Sequence, residues 1–235
     1  YDSEILQIEP WGKNAVRIRA GKGLFFEENN WALSVPQSPS GTVRTDKDGG
    51  VLENGNAVVR LSNAGKITIF SKGKKKILEE YTRNRRDVTD PKCSATEIEG
   101  REFKPCIGGD YHLTVRFESI DPDEKIYGMG QYQQKYLNLK GTDLELAHRN
   151  SQASVPFAIS SLGYGLLWNN PAIGRCVFGK NITSFEAYST KMMDYWVVVE
   201  DTPALIEETY AAVTGTVPMM PEYGLGFWQC KLRYN

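Results

Sequence analysis

Short runs of alternating apolar and polar residues, bounded by glycine, proline, asparagine and serine, dominate the chain and predict strands over most of its length. Asn14 to Ala20 reads N-A-V-R-I-R-A, which puts Val16 and Ile18 on one face and Arg17 and Arg19 on the other, as in a half-buried strand. Ala57 to Leu61 and Lys66 to Phe70 flank the polar stretch Ser62-Asn63-Ala64-Gly65 and predict a hairpin. Tyr111, Leu113, Val115 and Phe117 share one side of the next run. From Thr142 onward, Leu144, Leu146, His148 and Asn150 fall on one face, with Glu145 and Arg149 on the other. Several more runs lie between Val155 and Val199. Each strand can bury only one side, so this pattern predicts a mainly β fold in which two antiparallel sheets pack face to face as a β-sandwich.

One helix interrupts the pattern. Thr202 can cap its first turn, Pro203 takes the position where no N–H is needed, and Leu205, Ile206, Tyr210 and Val213 form an apolar stripe that should stop near Gly215. Pro218 and Pro221 then stiffen a linker into a strand-like run from Phe227 to Leu232. The division that follows is a sandwich over 1–200, helix and linker over 201–222, and from 223 to 235 the start of a further domain. A lone strand leaves its apolar face in water, which predicts an exposed patch at Val213, Phe227 and Trp228 and a tendency to form a homo-oligomer. Val35 to Gly50, rich in serine, proline, glycine and charge, reads as a flexible loop. Lys72, Lys74, Lys75 and Lys76 read as a solvated turn.

Composition narrows the function. With 28 basic and 29 acidic residues among 235, the net charge of -1 offers no footprint for phosphate backbones, and nucleic acid is not expected as a partner. No run reaches the roughly 18 apolar residues of a membrane helix, and Tyr1 opens no signal sequence, so no membrane association is expected. Cys93, Cys106, Cys176 and Cys230 form no C-x-x-C pair and have no histidine at metal-ligand spacing. They read as buried free thiols of a cytoplasmic protein, with no metal and no cofactor.

Carboxylates are plentiful, but Asp121 with Asp123 flank a proline turn, Glu207 and Glu208 lie on the polar side of the helix, and Asp143 with Glu145 share one strand. General acid and base work on a glycosidic bond needs two carboxyls facing each other across the sugar, about 5 to 10 Å apart. His112 and His148 sit on strands, where a ring-opening sandwich enzyme would use one as a proton donor. Arg149 beside Asn150 offers planar donors and acceptors suited to sugar hydroxyls, or alternatively a salt-bridged turn. Tyr132, Tyr136 and Trp168 are candidate stacking surfaces for sugar rings.

Several motifs in order resemble glycoside hydrolase family 31, which includes α-glucosidases and α-xylosidases. They are Y-G-M-G-Q from Tyr127, H-R-N at His148 to Asn150, the V-P-F-A-I-S-S-L-G-Y-G-L-L-W-N-N-P run from Val155, T-P-A-L-I-E-E-T-Y from Thr202, and P-E-Y-G-L-G-F-W-Q-C-K-L-R-Y from Pro221. The resemblance implies a galactose-mutarotase-like sandwich followed by a (β/α)₈ barrel whose first strand would be Leu225 to Leu232. The family's nucleophile lies in a W-x-D-M-N-E motif, and none of Trp11, Trp31, Trp168, Trp196 or Trp228 is followed two residues later by aspartate. No catalytic residue is therefore expected in this chain. The catalytic aspartates would belong to a missing C-terminal barrel, and the substrate would be an oligosaccharide or glycoside. The resemblance also implies that the sandwich reaches over the barrel mouth with an Arg-Asp pair, which here reads Arg149-Asn150, and that Trp228 and Lys231 climb toward the site. A free-standing carbohydrate-binding module is the alternative.

Overall fold

Nearly every alternating run becomes a strand. The computed structural model describes residues 3–23, 26, 30, 32–34 and 40–229. Along them run β1 (Ile5–Pro10), β2 (Ala15–Gly21), β3 (Thr42–Asp46), β4 (Gly49–Asn54), β5 (Ala57–Ser62), β6 (Ile67–Ser71), β7 (Lys76–Glu79) and β8 (Arg101–Pro105). They continue with β9 (Tyr111–Glu118), β10 (Ile126–Gln131), β11 (Asp143–Leu146), β12 (Ala153–Ser160), β13 (Tyr164–Trp168), β14 (Gly174–Phe178), β15 (Ile182–Thr190), β16 (Met192–Val199) and the helix α1 (Pro203–Thr214).

The strands form a six-stranded sheet in the order β1-β2-β16-β13-β12-β10, and two five-stranded sheets, β11-β14-β15-β9-β8 and β3-β4-β5-β6-β7. Neighbours are antiparallel throughout, including the hairpin of β5 and β6, whose turn closes through Gly65 N donating to Ser62 O at 2.8 Å. The two smaller sheets join where Glu80 bridges Phe117 and Tyr81 N donates to Arg116 O at 2.8 Å. One apolar core draws on all three: Val16, Ile18 and Val197 from the large sheet meet Leu113, Val115 and Phe117 of β9 and Val59 and Ile69 of the third sheet. This is the antiparallel sandwich anticipated, with three sheets instead of two.

The large sheet is covered on its other face as well. Trp11, Phe157, Leu167 and Trp196 pack there with Ile206 and Val213 of α1, and the Phe157 and Tyr210 rings stack at 4.0 Å. Thr202 Oγ1 caps the helix by accepting from Leu205 N at 3.3 Å, and Gly215 N closes its end on Ala211 O at 2.9 Å. The buried stripe is Ile206, Thr209 and Val213 with Tyr210 beside it; Leu205 faces outward. Val213 is thus inside the second core, whereas Phe227 and Trp228 are exposed as anticipated, as are Val217, Met219, Tyr223 and Leu225 before them.

Coverage on both faces also corrects the reading of β2. Arg17 and Arg19 are buried, not solvated, because their charges find partners on the neighbouring strands β16 and β1 of the same sheet. Arg17 donates to Asp194 through Nε at 3.0 Å and Nη2 at 2.6 Å and lies over the Trp11 ring at 4.5 Å, while Arg19 Nη2 pairs with Glu9 at 2.7 Å.

Three further expectations change. Val35 to Gly50 is not one flexible loop: 35–39 lie outside the described residues, but β3 and the start of β4 form a hairpin edge there. Leu225 to Leu232 is not a strand over its described part, where a 3₁₀ turn at Glu222–Leu225 gives way to irregular chain; 230–235 lie outside the described residues. The free thiols include only one that is buried, Cys176, with Cys93 and Cys106 half-buried and Cys230 outside the described residues.

Candidate functional site

The site residues sit where β10 leaves the large sheet and where the chain crosses from β11 to β12. In β10, Gly128, Met129 and Gly130 have φ of 98°, 68° and 90°, and the pairing with β12 shifts register between the two glycines. A Cβ on Gly128 would meet Phe157 O at 2.4 Å and one on Gly130 would meet Ala153 O at 2.3 Å, so only glycine allows this approach. Met129 tolerates its left-handed backbone because its side chain is fully buried in the core. The bulge directs the following residues away from the sheet, over an open groove of about 430 Å³ whose lining includes Gln131, Tyr132, Gln134, Lys135 and Tyr136.

The base of that excursion is fixed by a group that the sequence did not reveal. Glu124 and Lys140 are both buried and paired at 2.9 Å; Lys140 Nζ also donates to Ser119 Oγ at 2.7 Å, and Ser160 Oγ and Tyr164 OH donate to Glu124 Oε1 at 2.5 and 2.8 Å. Burial beside the Glu124 carboxylate pushes the Tyr164 phenol well up, which keeps it protonated and donating. Asp-Pro-Asp-Glu-Lys reads locally as a polar turn, so nothing in its spacing marks Glu124 as internal.

From β11 the chain steps into residues 147–152 and enters β12 in the other layer. His148 and Asn150 do not continue the face of Leu144 and Leu146, because the strand ends at Leu146. Instead the six residues fold back on themselves. Arg149 N donates to Gln152 O at 3.2 Å, Gln152 N to Arg149 O at 3.3 Å, Gln152 Nε2 to Ala147 O at 3.0 Å, and Ser154 N to His148 Nδ1 at 3.3 Å. The Arg149 guanidinium grips Glu145 with Nε at 2.9 Å and with Nη2, and these bonds hold the Glu145 carboxyl below the ordinary carboxylate range. Arg149 is thus the salt-bridged turn residue of the second reading, and it is exposed together with Asn150.

The other anticipated residues are dispersed. Trp228 is exposed and donates from Nε1 to Gly224 O at 3.0 Å within its own segment; no hydrogen bond among the described residues joins it to Arg149 or Asn150. Lys231 lies outside the described residues. Trp168 is no stacking surface, since it is 1% exposed and stacks internally on Phe185. Tyr136 is open to solvent, and Tyr132 is half-buried with its hydroxyl engaged. His112 Nε2 sits 3.1 Å from Glu186 Oε2 on the outer face of its sheet. Three of the candidate carboxylates are spent locally: Asp143 on Arg175, Glu145 on Arg149, and Asp121 in a turn that accepts from Asp123 N at 2.9 Å. Among the described residues, no group of three or more His, Cys, Asp or Glu could hold a metal.

A second cleft of about 460 Å³ opens at the same end of the strands, between Tyr111, Asn169, Asn170, Lys191 and Asp194. Much of its polar chemistry is already committed. Asn170 Nδ2 serves Thr190 Oγ1 and Met192 O, Ser189 Oγ donates to Asp110 Oδ2, and Asp194 is held by Arg17 and Asn169.

A three-sheet antiparallel sandwich sealed by a C-terminal helix, with a folded polar tip at the crossing between layers, is a galactose-mutarotase-like domain. The chain belongs to the glycosyl hydrolase 31 N-terminal galactose mutarotase-like family, whose model matches residues 5–176. It is 48% identical, over its whole length, to an uncharacterized family 31 glucosidase of Pseudescherichia vulneris, and it covers 46% of that protein. It is 30% identical over 99% of its length to alpha-xylosidase A of Aspergillus niger, covering 33% of it. Among solved structures it matches a family 31 α-xylosidase from a soil metagenome, complexed with xylose, with a TM-score of 0.93 and 49% identity over the full chain and 36% of that protein. The chain thus spans less than half the length of these relatives.

Proposed function

We propose that the chain is the non-catalytic N-terminal domain of a retaining α-glycosidase, an α-xylosidase or α-glucosidase, which shapes the substrate entrance through Arg149 and Asn150. The observation that carries this reading is full-length similarity near one half to a xylose-binding family 31 α-xylosidase, in a chain with no W-x-D motif. Retaining hydrolysis needs one carboxylate as nucleophile and another as acid and base, about 5 Å apart across the glycosidic bond. The carboxylates assigned to the tip and its stems are instead tied to arginines or turns. Such machinery belongs to a barrel partner. The tip then contributes fixed donors and acceptors for sugar hydroxyls, and Trp228 and Lys231 lead toward that barrel. The free thiols of Cys93, Cys106 and Cys176 fit a reducing compartment such as the cytoplasm. The reading as a free-standing sugar-binding module is weakened by the burial of Trp168.

The test is direct. The chain alone, incubated with nitrophenyl α-xyloside and α-glucoside, should release no dye above the blank. Turnover by the chain that is lost on Arg149→Ala would defeat the proposal.

A further inference from the structure

We propose that Tyr132 is the positioning residue that sets the Arg149–Asn150 tip for its sugar contact, an inference that rests on the reading of the tip as part of a substrate entrance. Tyr132 follows the bulge in β10, and its ring packs against the main core. Its hydroxyl donates to Glu145 O at 2.8 Å and shares a second 2.8 Å bond with Ser154 Oγ. Glu145 is on β11 and Ser154 on β12, the two stems of the tip, and those strands belong to different sheets. The stems thus have no ladder between them at this point. One phenolic oxygen closes the neck, giving its single proton to Glu145 O and accepting the proton of Ser154.

The choice of Glu145 matters because the same residue holds the tip's cation. Tyr132 fixes the Glu145 backbone, and the Glu145 carboxylate fixes the Arg149 guanidinium, so the phenol sets the arginine through one intermediate residue. The bonds beyond the neck, Arg149 N to Gln152 O at 3.2 Å and its reciprocal at 3.3 Å, are longer than the two at Tyr132 and constrain the tip less. Burial raises the Tyr132 phenol above its ordinary range, so it stays a donor throughout the working range of a hydrolase.

Tyr132→Phe keeps the ring in the core and removes only the oxygen. In the complete glycosidase carrying this domain, hydrogen exchange at the amides of Arg149, Gln152 and Ser154 should speed up by about three- to tenfold, as expected for one lost hydrogen bond. KM for an aryl α-xyloside or α-glucoside should rise by a similar factor, with kcat within about twofold of the parent. Ser154→Ala should reproduce the pattern in part, and Ser154→Thr, which keeps the hydroxyl, should restore it. Unchanged exchange in Tyr132→Phe would overturn the positioning role whatever the kinetics. Faster exchange with an unchanged KM would overturn the proposal differently, by showing that the neck holds the tip but the tip does not touch substrate.

Discussion

Replacing Asp194 by asparagine removes one charge from a pair whose side chains are each only 1% exposed. The carboxylate accepts from Arg17 Nε at 3.0 Å, from Arg17 Nη2 at 2.6 Å and from Asn169 Nδ2 at 2.7 Å, while Arg17 also lies over Trp11. In Asp194→Asn the guanidinium keeps its charge with no water to solvate it. Removing one partner of such a pair costs about 3–5 kcal/mol. At about 2–4 °C per kcal/mol for a domain of this size, the melting temperature should fall by roughly 6–20 °C. Removing both charges, in Arg17→Met with Asp194→Leu, replaces the pair by packed apolar groups and should recover most of the loss, to within about 1–2 kcal/mol of the parent. Urea unfolding followed by circular dichroism measures Asp194→Asn and the four corners of the cycle formed by the parent, Arg17→Met, Asp194→Leu and the double variant. A single variant within about 1 kcal/mol of the parent, or a double variant showing the sum of the single losses, would refute the claim that the pair is desolvated and coupled.

Acid should weaken the fold in a defined window. Burial alone would raise the Glu79 carboxyl, but hydrogen bonds from Lys66 and Lys76 outweigh it and hold the group at about 2, and Arg83 with Lys92 likewise lower Glu118. A depressed carboxyl contributes above its unfolded value of about 4.3 and loses that contribution as pH falls toward its folded value. The urea midpoint should therefore drop between about pH 5 and 2, and drop less in Lys92→Ala; identical slopes would contradict the network. Gly128→Ala puts a Cβ within 2.4 Å of Phe157 O at a φ of 98° and should cost at least about 1–3 kcal/mol in the same assay, whereas an unchanged midpoint would show that the bulge relaxes freely.

What the sequence made legible is what local pattern can encode. Val16 and Ile18 face the core as their alternation requires, the β5–β6 hairpin closes at its polar turn, and Thr202 and Gly215 bound the helix. What it hid depends on distant partners or on missing burial. Arg17 reads as solvent-facing until Asp194, 177 positions away, arrives beside it. Glu124 is indistinguishable from its exposed neighbours in a turn-like stretch until Lys140, Ser160 and Tyr164 surround it. β3 is exposed at all five positions, so burial imposed no alternation by which it could be recognised. At the candidate site the motif picks out Arg149 and Asn150, whereas the two bonds by which the Tyr132 oxygen ties the stems depend on neighbours 13 and 22 positions away that no local pattern marks.

The crossing from β11 to β12 gives the tip an unusual mechanical status. Its two ends are rooted in different sheets of the sandwich, so a change in spacing between the layers should displace Arg149 and Asn150. On the role proposed for the tip, trimming an interlayer side chain such as Phe117 or Phe178 should register as altered sugar recognition before the domain itself gives way.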